Sequence, residues 1–231
     1  MRRREALGLL VGAALSRPLR AMAAATPLLD ESAGFAAEIF FIGQKPPAFV
    51  LGVVRDGETA VFGFGRRGQD APGEPRADTL FRIGSITKAF TGQVLASLAA
   101  DGVVKLSDPV TKYAPEFDAA MSKDRPIRLV DLATHSAGLP REVPHEAGPP
   151  GDPFVHVTLK AYSEWMKSNP PLFPPGSAVL YSNFGFDVLA AALSSATGTP
   201  YPELLAERVL KPLGLKDTTF APRGRWLSAC L

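Results

Sequence analysis

Residues 81–88 read FRIGSITK, and they open a segment in which apolar side chains recur at every fourth position. This period predicts a helix over residues 86–101, whose apolar face is formed by Ile86, Phe90, Val94 and Leu98. Ser85 stands at the start of the helix and Lys88 follows three residues later, so the two side chains share one helical face. The segment therefore predicts a core helix that carries a serine and a lysine in contact at its start.

This serine and lysine pair is suited to nucleophilic chemistry. A serine hydroxyl needs a neighbouring group to take its proton, and Lys88 is placed to do so if desolvation lowers its pKa. Apolar side chains predicted to wall the site would supply that desolvation: Phe81, Ile83 and Phe90. The helix start adds backbone N–H groups that favour a developing oxyanion. The alternative for this motif alone is a helix-capping serine beside a solvated lysine.

A second polar cluster, Tyr181-Ser182-Asn183, lies far downstream. The Tyr181 phenol can relay a proton if nearby cations stabilise its phenolate, and the Asn183 amide can hydrogen-bond a substrate amide. The alternative is a turn after residues 174–176 in which Asn183 caps a helix that begins at Phe184. That capping role is compatible with catalysis.

The chain as a whole predicts strands first and helices afterwards. Two apolar runs at residues 48–54 and 59–64 flank Arg55-Asp56-Gly57-Glu58 and predict a β-hairpin, followed by a loop over residues 65–78. Four further helices are predicted at residues 129–134, 159–167, 184–196 and 201–209. The proline-rich stretches 140–153 and 170–175 predict ordered loops or a lid.

Composition narrows the function classes. The 231 residues are 46% hydrophobic and 21% charged, as in a globular protein with a sizeable core. Five of the 25 basic residues and one of the 23 acidic residues lie in residues 1–25, so the rest of the chain carries a net charge of −2. Without a basic stripe in the remaining chain, we expect no nucleic-acid binding.

Residues 1–25 have the layout of an export signal, with a basic start, an apolar run over residues 6–15 and small residues before position 26. Arg3-Arg4 resembles a twin-arginine signal, and the apolar run is too short to span a bilayer. We therefore expect an exported, periplasmic protein with no stable membrane span. The alternative is an uncleaved N-terminal helix. Cys230 is the only cysteine, so no intramolecular disulfide is possible.

Other motifs in the sequence lack the surrounding structure or spacing that their usual function requires. Residues 63–68 match G-x-G-x-x-G, but they run into a loop instead of a helix, which argues against dinucleotide binding. The histidines lack metal-ligand spacing, and His135 is expected to make a structural hydrogen bond. No G-x-S-x-G elbow is present. We predict neither a metal nor any other cofactor.

Several strings together carry a more specific signal: FRIGSITK (81–88), LATHSAGLP (132–140), PPG (174–176) running into YSNFG (181–185), and LKPLGL (210–215). They resemble the serine β-lactamase and penicillin-binding protein family, and in detail its class C and AmpH-type carboxypeptidase/endopeptidase branch. The resemblance runs from about Phe49 to Phe220.

The resemblance implies an α+β fold of two lobes, in which an antiparallel sheet flanked by helices adjoins a mostly helical lobe and the active site lies between them. It implies that Ser85 is acylated, that Lys88 and Tyr181 share the role of base and proton relay, and that Asn183 contacts the substrate amide. The implied reaction is acyl hydrolysis of peptidoglycan D-alanyl peptides or β-lactams without a cofactor. The implied domain spans residues 26–222, followed by an atypical tail at residues 223–231.

The sequence departs from the family at one point. Family members carry a third motif, of Lys-Thr-Gly or His-x-Gly type, and no such string follows Asn183. By resemblance, the corresponding part would supply central strands, an oxyanion-hole N–H and a group that grips a substrate carboxylate. We therefore expect a truncated or frame-shifted product that lacks C-terminal strands and is weak or inactive by itself. An esterase on the same scaffold and a non-catalytic remnant that binds cell-wall peptides are the alternatives.

Overall fold

A computed structural model of the chain describes residues 23–24, 27–68, 73–120, 125–149 and 155–220. Apart from residues 23–24, the predicted export signal lies outside these ranges, as do Cys230 and the predicted tail at residues 223–231. The described residues fall into two compact units that divide between Arg82 and Ile83. Each unit is built around different secondary structure.

The first unit contains strand β1 (Ala23–Ala24), helix α1 (Pro27–Gln44) and strands β2 (Ala48–Arg55) and β3 (Glu58–Gly65). Strands β2 and β3 pair antiparallel from Ala48 opposite Gly65 to Arg55 opposite Glu58, and β1 pairs parallel to β3. The turn residues Asp56 and Gly57 have φ angles of 52° and 86°, which suit the twist of a two-residue hairpin. The predicted hairpin is confirmed.

Helix α1 was not predicted from the sequence. It packs on the hairpin through aromatic rings, since the ring centroids of Phe41 and Phe64 lie 5.4 Å apart and those of Phe40 and Phe49 lie 4.8 Å apart. Other large apolar side chains of α1 are exposed: Phe35, Ile39 and Ile42. Because its apolar residues occupy several faces, the helix lacks the single stripe by which an amphipathic helix is recognised.

The second unit begins with a 3-10 turn, Gly84–Ile86, that leads into helix α2 (Thr87–Ala100). The predicted helix over residues 86–101 is confirmed, but its buried face is rotated from the predicted one. Val94 and Leu98 are fully buried as expected, whereas Ile86 is exposed and Leu95 is buried instead. Ser85 and Ile86, in the turn that precedes α2, are both exposed.

Four further helices confirm the predicted positions: α3 (Leu129–Ala133), α4 (Leu159–Ser168), α5 (Asn183–Thr197) and α6 (Tyr201–Leu205). The last of them continues as a π-helical turn, Ala206–Leu210. Two short 3-10 segments, Val110–Lys112 and Pro115–Ala120, were not predicted. The core between these elements is aliphatic and aromatic, and its fully buried members include Leu98, Phe117, Leu129, Leu132, Phe184, Leu189 and Leu193.

Two loops without regular structure run side by side in this unit. Leu172 N–H donates to Gly138 O at 2.8 Å, and Gly176 N–H donates to Ser136 O at 2.7 Å. Gly138 has a φ of 75°, and a Cβ at this position would lie 2.3 Å from Phe173 O. Only glycine allows this approach, which brings the end of the 170–175 loop beside residues 135–138.

Within the described residues, no helix has both the length and the apolar character needed to cross a bilayer.

A buried ion pair stabilises the start of α3. The Asp131 side chain is 2% exposed and accepts hydrogen bonds from Arg125 Nη2 at 2.9 Å and from Arg128 Nη2 at 3.0 Å. It also accepts from the Arg128 backbone N–H at 2.9 Å, in a capping box. Burial raises the pKa of Asp131, but the hydrogen bonds and charges of Arg128 and Arg125 outweigh it and leave the pKa below its usual 3.8.

We expect Asp131→Asn to lower the free energy of unfolding by roughly 2–3 kcal/mol. Both arginines reach solvent, so leaving them without the carboxylate costs less than it would for fully buried arginines. The pKa of Asp131 is lowered on folding, so its contribution is complete above pH 3.8 and is lost as the pH falls below that value. Urea unfolding at neutral and acidic pH measures both effects. The exposed Asp217→Asn is the matched control, and equal unfolding midpoints for the two variants would contradict the prediction.

Candidate active site

Ser85 lies in the exposed 3-10 turn that precedes α2. Its Oγ accepts a hydrogen bond from the Tyr181 phenol at 2.5 Å and lies 3.4 Å from Lys88 Nζ. The capping positions of the turn and of α2 are Ile83 and Ile86, without any side-chain cap. The alternative of a capping serine beside a solvated lysine is therefore wrong, and the predicted contact between Ser85 and Lys88 is made.

Lys88 is the centre of several contacts. Its ammonium donates to Asn183 Oδ1 at 2.5 Å and lies 4.9 Å from the ring centroid of Tyr181 and 5.5 Å from that of Phe186. At these distances the faces of both rings attract the cation.

The apolar wall of the site differs from the predicted one. Ile83 and Phe90 line a groove with Leu205 and Leu210, next to residues 218–220, and Phe81 belongs to the first unit. The prediction is wrong for Phe90, which α2 turns toward the following helices. For Phe81 and Ile83 it stays a prediction. Phe186, on α5, supplies the apolar contact to Lys88 instead.

Tyr181 is surrounded by the cations that a phenolate requires. Hydrogen bonding with Lys88 and then Ser85 lowers the pKa of Tyr181 below its usual 10.0, and the charges of Lys88 and Arg141 act in the same direction against a smaller opposing effect of burial. The Arg141 guanidinium lies 5.1 Å from the centroid of the phenol ring. The phenol can therefore exchange a proton with Ser85 more readily than a solvated tyrosine.

Ser182, not Asn183, caps helix α5. The Ser182 hydroxyl accepts from Gly185 N–H at 2.8 Å and donates to Pro140 O at 2.6 Å. The prediction that Asn183 caps a helix beginning at Phe184 is wrong, because the helix begins one residue earlier. Asn183 is its first residue, and its side-chain amide is free of the capping role.

The Asn183 amide makes two hydrogen bonds across the site. Its Oδ1 accepts from Lys88 Nζ at 2.5 Å, and its Nδ2 donates to Glu142 Oε1 at 2.5 Å. Asn183 therefore connects the lysine of α2 to the loop that follows Pro140. The structure brings together all four predicted site residues, Ser85, Lys88, Tyr181 and Asn183.

His135 makes the structural hydrogen bond that the sequence predicted. Its Nδ1 accepts from Ser182 N–H at 3.0 Å, and its ring lies 4.5 Å from the ring of Tyr181 and 5.0 Å from that of Phe186. Burial, and then the charge of Lys88, lower the pKa of His135 below its usual 6.5. The imidazole is thus kept neutral, which lets Nδ1 act as the acceptor.

Sequence reasoning missed three residues that belong to this site: Arg141, Glu142 and Phe186. The first two directly follow the LATHSAGLP string, and a pair of opposite charges inside a proline-rich loop was the available signal. Phe186 follows Asn183 by three residues on α5, so helical spacing alone places both on one face.

Among the described residues, no three or more His, Cys, Asp or Glu side chains are grouped closely enough to hold a metal ion. The chemistry that the site offers is that of its own side chains: an exposed hydroxyl, a phenol with a lowered pKa, an ammonium and an oriented amide. These are the parts required to form and break an acyl-serine ester.

Comparisons with known proteins agree with this chemistry. The beta-lactamase family model matches residues 33–226. The D-alanyl-D-alanine-carboxypeptidase/endopeptidase AmpH of Escherichia coli K12 is 40% identical over 191 residues, which cover 80% of this chain and 48% of AmpH. A beta-lactamase from the same strain is 34% identical over 76% of this chain and 44% of its own length. The chain thus spans about half the length of these curated relatives.

Solved structures show the same relationship. A beta-lactamase/D-alanine carboxypeptidase from Yersinia pestis, solved with citrate, matches with a TM-score of 0.76 at 37% identity, over 90% of this chain and 60% of that one. A class C beta-lactamase from Rhodobacter sphaeroides matches with a TM-score of 0.72 at 26% identity, over 86% of this chain and 53% of that one. The predicted α+β fold and the predicted family are confirmed, and the chain belongs to the beta-lactamase family.

Proposed function

We propose that this protein is a serine acyl hydrolase that acts through an acyl-Ser85 intermediate on D-alanyl peptides of peptidoglycan or on β-lactams. The observation that carries the proposal is the placement of Ser85 Oγ 2.5 Å from the Tyr181 phenol oxygen and 3.4 Å from Lys88 Nζ. The names of the relatives support both substrate classes. The export-signal pattern of residues 1–25 fits a protein that reaches peptidoglycan in the periplasm.

Acylation begins with the Ser85 proton. In the productive protonation state, Tyr181 is a phenolate stabilised by Lys88 and Arg141, and it takes the proton as Ser85 Oγ bonds to the substrate carbonyl carbon. The oxyanion then collapses, the carbon–nitrogen bond breaks, and the proton passes from Tyr181 to the departing nitrogen. The Lys88 ammonium, held between Asn183 and the rings of Tyr181 and Phe186, stabilises the phenolate throughout.

In deacylation, water takes the place of Ser85 as the nucleophile, and Ser85 Oγ becomes the leaving group. The Lys88 and Tyr181 pair accepts a proton from water as its oxygen attacks the acyl carbon, and the bond between that carbon and Ser85 Oγ breaks. Ser85 Oγ recovers a proton from the same pair. Asn183 contributes the second N–H of its Nδ2, which is available to a substrate carbonyl beside the bond that Nδ2 makes to Glu142.

Incubation of the full chain with a penicillin should add the whole mass of the antibiotic to Ser85, since ring opening releases no fragment. Intact-mass measurement followed by peptide mapping locates the adduct. Ser85→Ala should remain unmodified, whereas Ser195→Ala, a change at an exposed serine on α5, should be labelled like the wild type. A folded wild-type chain that neither takes up an adduct nor hydrolyses the penicillin would contradict the proposal and favour an esterase or a protein that only binds peptides.

The acylation rate should rise with pH as Tyr181 ionises, and this rise should occur below pH 10 because the pKa of Tyr181 is lowered. Tyr181→Phe should reduce the acylation rate by about 10²–10⁴-fold, the usual loss on removal of a general base. It should also abolish the rise of the rate with pH. Arg141→Gln should move the rise to higher pH by removing one of the charges that stabilise the phenolate.

Stopped-flow acylation with a chromogenic β-lactam, from roughly pH 6 to pH 10, measures these profiles. Tyr113→Phe is the matched control, because the Tyr113 phenol donates to Asp108, which is not one of the site residues. A Tyr181→Phe variant with the wild-type profile would assign the base to Lys88 alone.

A further inference from the structure

The Asn183 side chain is held at both ends by charged groups. Lys88 Nζ donates to its Oδ1 at 2.5 Å, and its Nδ2 donates to Glu142 Oε1 at 2.5 Å. An ammonium can only donate and an ionised carboxylate can only accept. Rotation of the amide by 180° would set N–H groups against Lys88 and an oxygen against Glu142, so the two contacts select one orientation between them.

Glu142 is the carboxylate that is available for this contact. Another carboxylate nearby along α5, that of Asp187, accepts from the Tyr162 phenol at 2.6 Å. Glu142 is itself exposed, so no fold requirement of its own explains where its side chain lies. Its partner in the described structure is the Asn183 amide.

The backbone on each side of Glu142 is anchored. Arg141 O accepts from the N–H groups of Asn183 at 2.9 Å and of Phe184 at 3.3 Å, which ties the loop to the first turn of α5. Val143 follows and is 5% exposed, so it packs into the core. With both neighbours held, the Glu142 side chain is directed at Asn183 without the entropy cost of ordering a free loop.

We propose that Glu142 is a positioning residue of the hydrolase: it fixes the Asn183 amide so that Oδ1 faces Lys88, and it thereby keeps Lys88 beside Ser85. The inference rests on the proposed function and deepens it. Without Glu142, the amide can rotate, Lys88 loses its 2.5 Å acceptor for part of the time, and the contact of Lys88 with Ser85 at 3.4 Å is no longer maintained. The orientation of the second N–H of Nδ2 toward a substrate carbonyl is lost with it.

The test combines kinetics with a double-mutant cycle on the full chain. Glu142→Ala should slow acylation by a chromogenic β-lactam about tenfold, the loss expected of one hydrogen bond to a charged group, with an unchanged melting temperature. Glu142→Gln should stay within about threefold of the wild type, because the glutamine oxygen accepts the same bond. Glu146→Gln, which alters an exposed charge on the same loop, is the matched control and should acylate normally.

In an Asn183→Ala background, Glu142→Ala should cause no further loss, because Glu142 acts through the amide. A second readout needs no activity: the side-chain amide resonances of Asn183, assigned by their disappearance in Asn183→Ala, should shift in Glu142→Ala and be retained in Glu142→Gln.

Three results would overturn the inference: wild-type acylation by Glu142→Ala, an equal loss in the Asn183→Ala background, or amide resonances that Glu142→Ala leaves unchanged. The proposed function fails in a different way. In that case the wild-type chain neither takes an adduct on Ser85 nor hydrolyses a β-lactam, while the resonances still show whether Glu142 holds Asn183.

Discussion

The geometry of the site depends on the hydrogen bonds of Ser182. Its hydroxyl accepts from Gly185 N–H and donates to Pro140 O, while its own backbone N–H donates to His135 Nδ1. One residue thus starts helix α5, ties that start to the loop before Arg141, and ties it to the segment at His135. Since its neighbours along the chain are Tyr181 and Asn183, these bonds place a phenol and an amide on either side of a fixed point.

The charged groups of the site lie on different sides of Tyr181 and Asn183. Two cations, Lys88 and Arg141, lie beside a phenol whose pKa they lower, and the Glu142 carboxylate lies on the far side of the Asn183 amide. His135 is in contact with the same phenol ring but stays neutral, since burial and Lys88 both disfavour its cation. A third cation beside the ring would repel the Lys88 ammonium. The neutral imidazole therefore supports the site mechanically while leaving its electrostatics to Lys88 and Arg141.

Local chemistry was predictable from the sequence, and long-range placement was not. Ser85 and Lys88 meet because helical spacing requires it, whereas their contacts with Tyr181 and Asn183 were available only through the family resemblance. The errors have physical reasons: Ser182 outcompetes Asn183 for the cap, Phe90 turns into a groove on the other side of α2, and α1 has no single apolar stripe. The site roles of the four residues, the export signal and the domain limits remain predictions.

The capping role of Ser182 has a consequence for how this site tolerates change. Helix α5 begins where the Ser182 hydroxyl closes its first turn, so the cap sets the rotational phase of every side chain that follows. A step of one residue along a helix rotates a side chain by about 100°. A residue inserted between Ser182 and Asn183 would rotate the amide by that angle, away from Lys88, even with every functional side chain still present. Sequence length at this junction is therefore constrained as tightly as chemical identity.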